Sequence, residues 1–171
     1  MWVARVDEGY VFGDLSPASV DTLVGVPMLI ESSDPRVRGR LFPATCGDED
    51  AETEWRVHAV PELERLFLSR AQLVRRDLAA LRPMRKSKNQ VLLVPDAHQN
   101  AWIAALNAAR LALFELNGLS AEAMEPEGFG KATQKQQEAL LRIHLLAEIQ
   151  SVLLGDLEVE SSGAFDDLPL S

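Results

Sequence analysis

From Pro95 to Asn117 the chain reads PDAHQNAWIAALNAARLALFELN, which is apolar on nearly every side of a 3.6-residue helix. Trp102, Ala105, Leu106, Ala109, Ala112, Leu113 and Leu116 share one broad face, while Ile103, Leu111 and Phe114 lie off it. That distribution predicts a central helix enclosed by others. Pro95 suits its first turn, Asp96 complements its N-terminal dipole, and Gly118 stands where a left-handed cap is needed. Arg110, with Asn107 and Asn117 on its side, interrupts the apolar surface. It marks either a solvated strip covered by an aliphatic stem or a buried group that requires a partner.

Residues 61–81 carry the cleanest amphipathic pattern. Leu63, Phe67, Ala71, Val74, Leu78 and Leu81 fall on one face, with Arg65, Ser69, Gln72 and Arg76 opposite, in a helix started by Pro61. Residues 131–154 predict a last long helix rich in Leu and Ile, with Gln137, His144, Glu148 and Ser151 on one side. Near the start, WVARVDEGYVFGDL alternates as two short strands around Asp7-Glu8-Gly9, a hairpin in which Gly9 would supply a positive φ. Two strands are marginal alone, and QVLLV at 90–94 is the expected third.

Ser16-Pro17 opens a helix whose apolar face is Val20, Leu23 and Val24, and Pro27 should bend or interrupt it. Residues 31–47 read as an irregular connection tethered by Leu41-Phe42-Pro43. The acids from Asp48 to Glu54 favour the start of a helix running through Ala59. The fold class is therefore mainly α: a single-domain bundle of four or five helices with a small N-terminal antiparallel β-sheet. Residues 1–155 form the helical domain with its N-terminal hairpin, and residues 156–171 form an acidic C-terminal tail.

The 171 residues, 47% apolar and 25% charged, suffice for one domain with a real core. A net charge of −9 opposes general attraction to nucleic acid or anionic membrane. The first ten residues lack the basic and apolar regions of a signal peptide, and no apolar run approaches the ~20 residues that span a bilayer. One cysteine, Cys46, rules out an intramolecular disulfide and fits a reducing compartment, so a cytoplasmic location is expected.

Candidate chemistry is sparse. His58, His98 and His144 sit in separate elements without metal-ligand spacing, so neither a metal nor a cofactor is expected. His144 and Glu148 are an i, i+4 pair, more simply a helix contact than an acid and base. Cys46 is followed by acids that disfavour a thiolate, and Gly128-Phe129-Gly130-Lys131 lacks the strand and glycine spacing of a phosphate loop. From Pro61 to Lys88 there are eight Arg or Lys against three acids, ending in the one basic run, where Arg82, Arg85, Lys86 and Lys88 could meet phosphate or acidic protein. No aromatic interleaves that run. Arg110 is expected to pair with Glu148, each being the charged residue nearest the apolar face of its helix.

Leu41-Phe42-Pro43, then Glu54-Trp55-Arg56, then Trp102-Ile103-Ala104-Ala105-Leu106-Asn107-Ala108-Ala109-Arg110-Leu111 and a closing Leu-rich helix resemble a bacterial, actinobacterial-type family, domain of unknown function two thousand and seventeen. The resemblance spans about residues 10 to 155 and is sharpest at Trp-x-x-x-Leu-Asn-x-x-Arg-Leu. The chain departs from it at Phe114-Glu115-Leu116-Asn117-Gly118. It implies a mostly helical bacterial cytoplasmic protein and supplies no catalytic residues, and the placing of its members' genes near components of regulated proteolysis implies an adaptor or regulator in place of an enzyme. The tail is similar to the acidic peptide ending bacterial single-stranded-DNA-binding proteins, with Phe165, Leu168 and Leu170 as its apolar contacts, and the alternative is an inert tail or one folded back on residues 61–88.

The reading that follows is a non-catalytic protein-interaction or regulatory module with a protein partner, no membrane and no nucleic acid partner, and with homo-oligomerisation left open. Two alternatives stand beside it. One is a nucleic-acid-associated regulator using residues 61–88, and the other is an enzyme built on Arg110, His144 and Glu148.

Overall fold

The computed structural model describes residues 1–85 and 87–156. The N-terminal hairpin forms as β1 (Trp2–Val6) and β2 (Gly9–Leu15), joined by Asp7-Glu8. Gly9 has the expected positive φ, 157°, but already lies in the strand, and a Cβ there would also run into the Val94 carbonyl. Residues 90–94 do supply a further strand. That strand is β4 (Gln90–Pro95), β3 (Arg82–Pro83) pairs with it on its other side, and the antiparallel order is β1-β2-β4-β3. β3 and β4 thus form a second hairpin, closed by Met84 N–H donating to Asn89 O at 2.9 Å, with Arg85 and Lys88 between those two residues. Pro95 ends β4 instead of opening the central helix, because Asp96 N–H is drawn to Glu8 O at 2.9 Å across the sheet.

The helices are α1 (Pro17–Ile30), α2 (Pro35–Leu41), α3 (Glu49–Glu54), α4 (Val60–Leu78), α5 (Gln99–Leu116), α6 (Pro126–Phe129) and α7 (Gln134–Leu154). Caps set several of their limits. Ser16 Oγ accepts from Ser19 N–H, Asp34 and Asp48 cap α2 and α3, and Thr133 with Gln136 forms a capping box on α7. Gly118 and Gly155 end α5 and α7 with φ of 56° and 79°. Helix α2 arises inside the expected irregular connection, since Asp34-Pro35 provides both a cap and a first-turn proline.

Two proline expectations are corrected. Helix α1 runs unbroken through Pro27, because Leu23, Val26 and Ile30 are buried around it and a break would expose them. Its buried face excludes Val24, which is 49% exposed. Pro61 does not start a separate helix. Instead, α3 continues into α4 through a π-helical turn, Trp55–Ala59, where Val60 N–H bonds Trp55 O five residues back. The wider turn accommodates the proline ring and its missing donor without ending the helix.

Helix α5 is central, as its all-round apolarity predicts. It contacts α1, α2, α4 and α7, and Trp102, Ala105, Leu106, Ala109 and Ala112 are completely buried. The sheet lays Phe12, Leu92 and Val94 onto this helical layer, so one contiguous core joins the two. Full burial of a side chain of this size is worth roughly 1.5–3 kcal/mol.

Candidate functional site

A four-stranded antiparallel sheet with helices on one face ordinarily turns polar residues to the other. Here it does not. Register places Val3, Phe12 and Leu92 in one row and Ala4, Val11 and Leu93 in the next, with side chains on opposite faces. The outer face accordingly carries Trp2, Ala4, Val6, Val11, Val91 and Leu93. Apart from Ala4, none is fully buried, and Leu93 is 41% exposed. The Trp2 ring is seated on Gly13, where any Cβ would overlap it. Arg82, paired with Val91 across β3 and β4, adds an exposed cation at the margin of this apolar face.

Strand β2 reaches this arrangement through a bulge. Tyr10↔Val94 and Phe12↔Leu92 keep one register and Leu15↔Gln90 is shifted by one, so β2 carries an extra residue. Asp14, within it, has φ 57°, a left-handed conformation uncommon outside glycine, and its carboxylate accepts from Asn89 Nδ2 at 2.6 Å.

The best-built polar cluster is internal. Asp77, 7% exposed near the end of α4, receives Trp102 Nε1–H at 2.8 Å and lies 2.9 Å from His98 Nδ1. A carboxylate is disfavoured at its own helix C-terminus, and Asp77 instead serves the opening turn of α5. Asp77 spends its oxygens on His98 and Trp102, which makes the cluster a brace between α4 and α5. Among the described residues, no group of three or more His, Cys, Asp or Glu is placed to hold a metal ion.

The expected Arg110–Glu148 pair is corrected. Arg110 Nη1 donates to Gln150 Oε1 at 2.6 Å, and Gln150 Nε2 donates to Ile103 O at 3.4 Å. Glu148 is exposed, because two residues of helix turn it about 200° away from Gln150. Arg110 Nε is buried without a partner among the described residues. His144 is exposed and borders a shallow hollow with Leu141 and Phe129, so Arg110, His144 and Glu148 are not assembled into one site.

The side chains of Arg82, Arg85 and Lys88 are exposed at the second hairpin, whereas Lys86, Phe165, Leu168 and Leu170 lie outside the described residues. On α4, Arg65 pairs with Glu62 and Arg75 with Glu31, which divides the basic content of residues 61–88. Cys46 is half-buried, and its backbone N–H donates to Glu52 Oε2 at 3.1 Å. That bond and the one from Thr45 N–H hold the Glu52 carboxyl below its ordinary range.

The family described as Domain of unknown function (DUF2017) matches residues 12–157. The chain belongs to DUF2017. Neither a curated protein nor a solved structure matches it. Residues 102–111, which carry the sharpest resemblance to DUF2017, lie within the buried hub α5, with Trp102 on Asp77 and Arg110 on Gln150. Sequence reasoning missed Asp77 and His98. The available signal was Asp77 as the sole acid in the second half of α4, opposite a His and Trp four residues apart. Among the described residues of this DUF2017 chain, no helix is long and apolar enough to cross a membrane.

Proposed function

We propose that this DUF2017 chain is a non-catalytic protein-interaction or regulatory module whose contact surface is the outer face of the sheet. The observation that carries this reading is the row Val6, Val11, Val91 and Leu93 on a face to which none of the core helices contributes. Apolar area of this kind on a sheet already packed on one side serves association. Arg82 borders it, so the partner surface it fits is apolar with a carboxylate at its rim.

The test is affinity capture from native extract with the wild-type chain, a Val11→Lys/Leu93→Lys variant, an Arg82→Ser variant and a Glu148→Ala control. The expected result is a protein retained by wild type and control, lost with the double lysine variant and weakened with Arg82→Ser. Retention by a folded double lysine variant would overturn the reading.

A further inference from the structure

The two edges of the sheet are built differently. The β3 edge is two residues long, contains Pro83 and ends in the basic hairpin tip, features that discourage another strand from adding there. The β1 edge is five residues long, with no proline or lysine, and pairs with β2 without a shift in register. The direction of its free groups follows from the ladder. Glu8 O receives Asp96 N–H, so Glu8, Tyr10 and Phe12 turn their backbone groups toward β4 and Gly9, Val11 and Gly13 turn theirs toward β1. Across the register, Trp2, Ala4 and Val6 bond β2, which leaves the N–H and C=O of Val3 and Arg5 directed out of the sheet.

We propose that β1 pairs antiparallel with β1 of a second copy of this chain, about a two-fold axis beside Ala4, joining two four-stranded sheets into one. Only registers that match outward residues with outward residues are allowed, and one of them pairs all five residues. In it, Val3 meets Arg5 of the second copy, Trp2 meets Val6, and Ala4 meets itself at a non-hydrogen-bonded position. A shift of two residues in either direction leaves only three residues of each strand paired, and in one direction it also brings Arg5 against Arg5, a like-charge contact. In the full register the strand's only charge faces valine, and its guanidinium remains on Asp96 of its own chain at 2.7 Å. The outer face gains an aromatic pairing with a β-branched residue on each side of the axis. A two-fold interface of this kind is closed and needs no other chain.

The inference rests on the sheet as the contact surface but uses its edge, and the experiment separates the two. Sedimentation of the purified chain should show a monomer–dimer equilibrium. Val3→Pro removes an outward N–H and no bond to β2, so it should raise the dimer dissociation constant at least about tenfold with the far-ultraviolet spectrum unchanged. In a Cys46→Ser background, Ala4→Cys should cross-link to itself under mild oxidation and Val3→Cys should not, since only Ala4 meets its own copy. A wild-type chain that stays monomeric, a dimer indifferent to Val3→Pro, or cross-linking by both cysteines alike would overturn the proposal. A monomer that still captures a Leu93-dependent protein would overturn the dimer alone, and a dimer without such capture would overturn the outer-face reading alone.

Discussion

The indole of Trp102 donates to the carboxylate of Asp77 at 2.8 Å, tying the completely buried ring of α5 to the end of α4. His98 shares the same carboxylate. Replacing Asp77 with Ala strands both donors in the interior and should cost ~3–5 kcal/mol in denaturant unfolding, whereas Asp77→Asn, which can still accept from Trp102, should cost ~1–3 kcal/mol. Equal losses for the two variants would show that the carboxylate's shape matters and its bonding does not.

Arg110 and Gln150 should be energetically coupled. A double-mutant cycle with Arg110→Leu and Gln150→Leu is expected to give ~1.5–3 kcal/mol, the range for a hydrogen bond to a charged group, while Glu148→Ala stays within ~0.5 kcal/mol of wild type. Coupling of Arg110 to Glu148 in place of Gln150 would contradict the observed geometry.

At Asp14 the left-handed backbone can be separated from the side-chain bond. Asp14→Ala and Asp14→Gly both lose the Asn89 contact, but only Ala retains a Cβ at φ 57°. The Gly variant should therefore be the more stable by ~1 kcal/mol or more. Thermal unfolding curves that coincide for the two would mean that the bulge relaxes freely.

The Asp34 carboxyl is pulled from 3.8 to about 2 by the Arg36 side chain, and secondly by the Arg36 backbone N–H. With its folded value depressed, the contribution of this cap is complete above about 3.8 and is lost as the pH falls through about 2. A carbon-detected titration should place its midpoint near that lower value, and Arg36→Ala should move the midpoint upward. An unshifted midpoint in the wild-type chain would remove the contact.

The central helix was legible because α5 is apolar on all sides, and β4 was legible because QVLLV directly precedes it. Side-chain partners were harder to read. Choosing Glu148 for Arg110 used charge alone, but the position facing α5 at that level belongs to Gln150, a neutral residue that serves both the guanidinium and the Ile103 carbonyl. The proline readings failed because local rules outweigh packing only where no buried neighbours resist, and Pro27 lies among Leu23, Val26 and Ile30. The outer sheet face was concealed because Val11 and Leu93 occur in runs that read equally well as strands buried on both sides.

The pairing of Phe12 with Leu92 joins positions 80 residues apart (92 − 12). During synthesis at ~5–20 residues per second, the hairpin is made ~4–16 s before the strand that completes its inner row. In that interval two short strands hold little structure in water, and their apolar residues remain available to any hydrophobic surface nearby. Closing so long a span also carries an entropic cost before the new contacts are gained, so the sheet, and with it the shape of the β1 edge, is expected to be completed late in folding. Slowing translation between codons 15 and 90 should accordingly lengthen the period in which a nascent chain binds chaperones, without altering the native state it reaches.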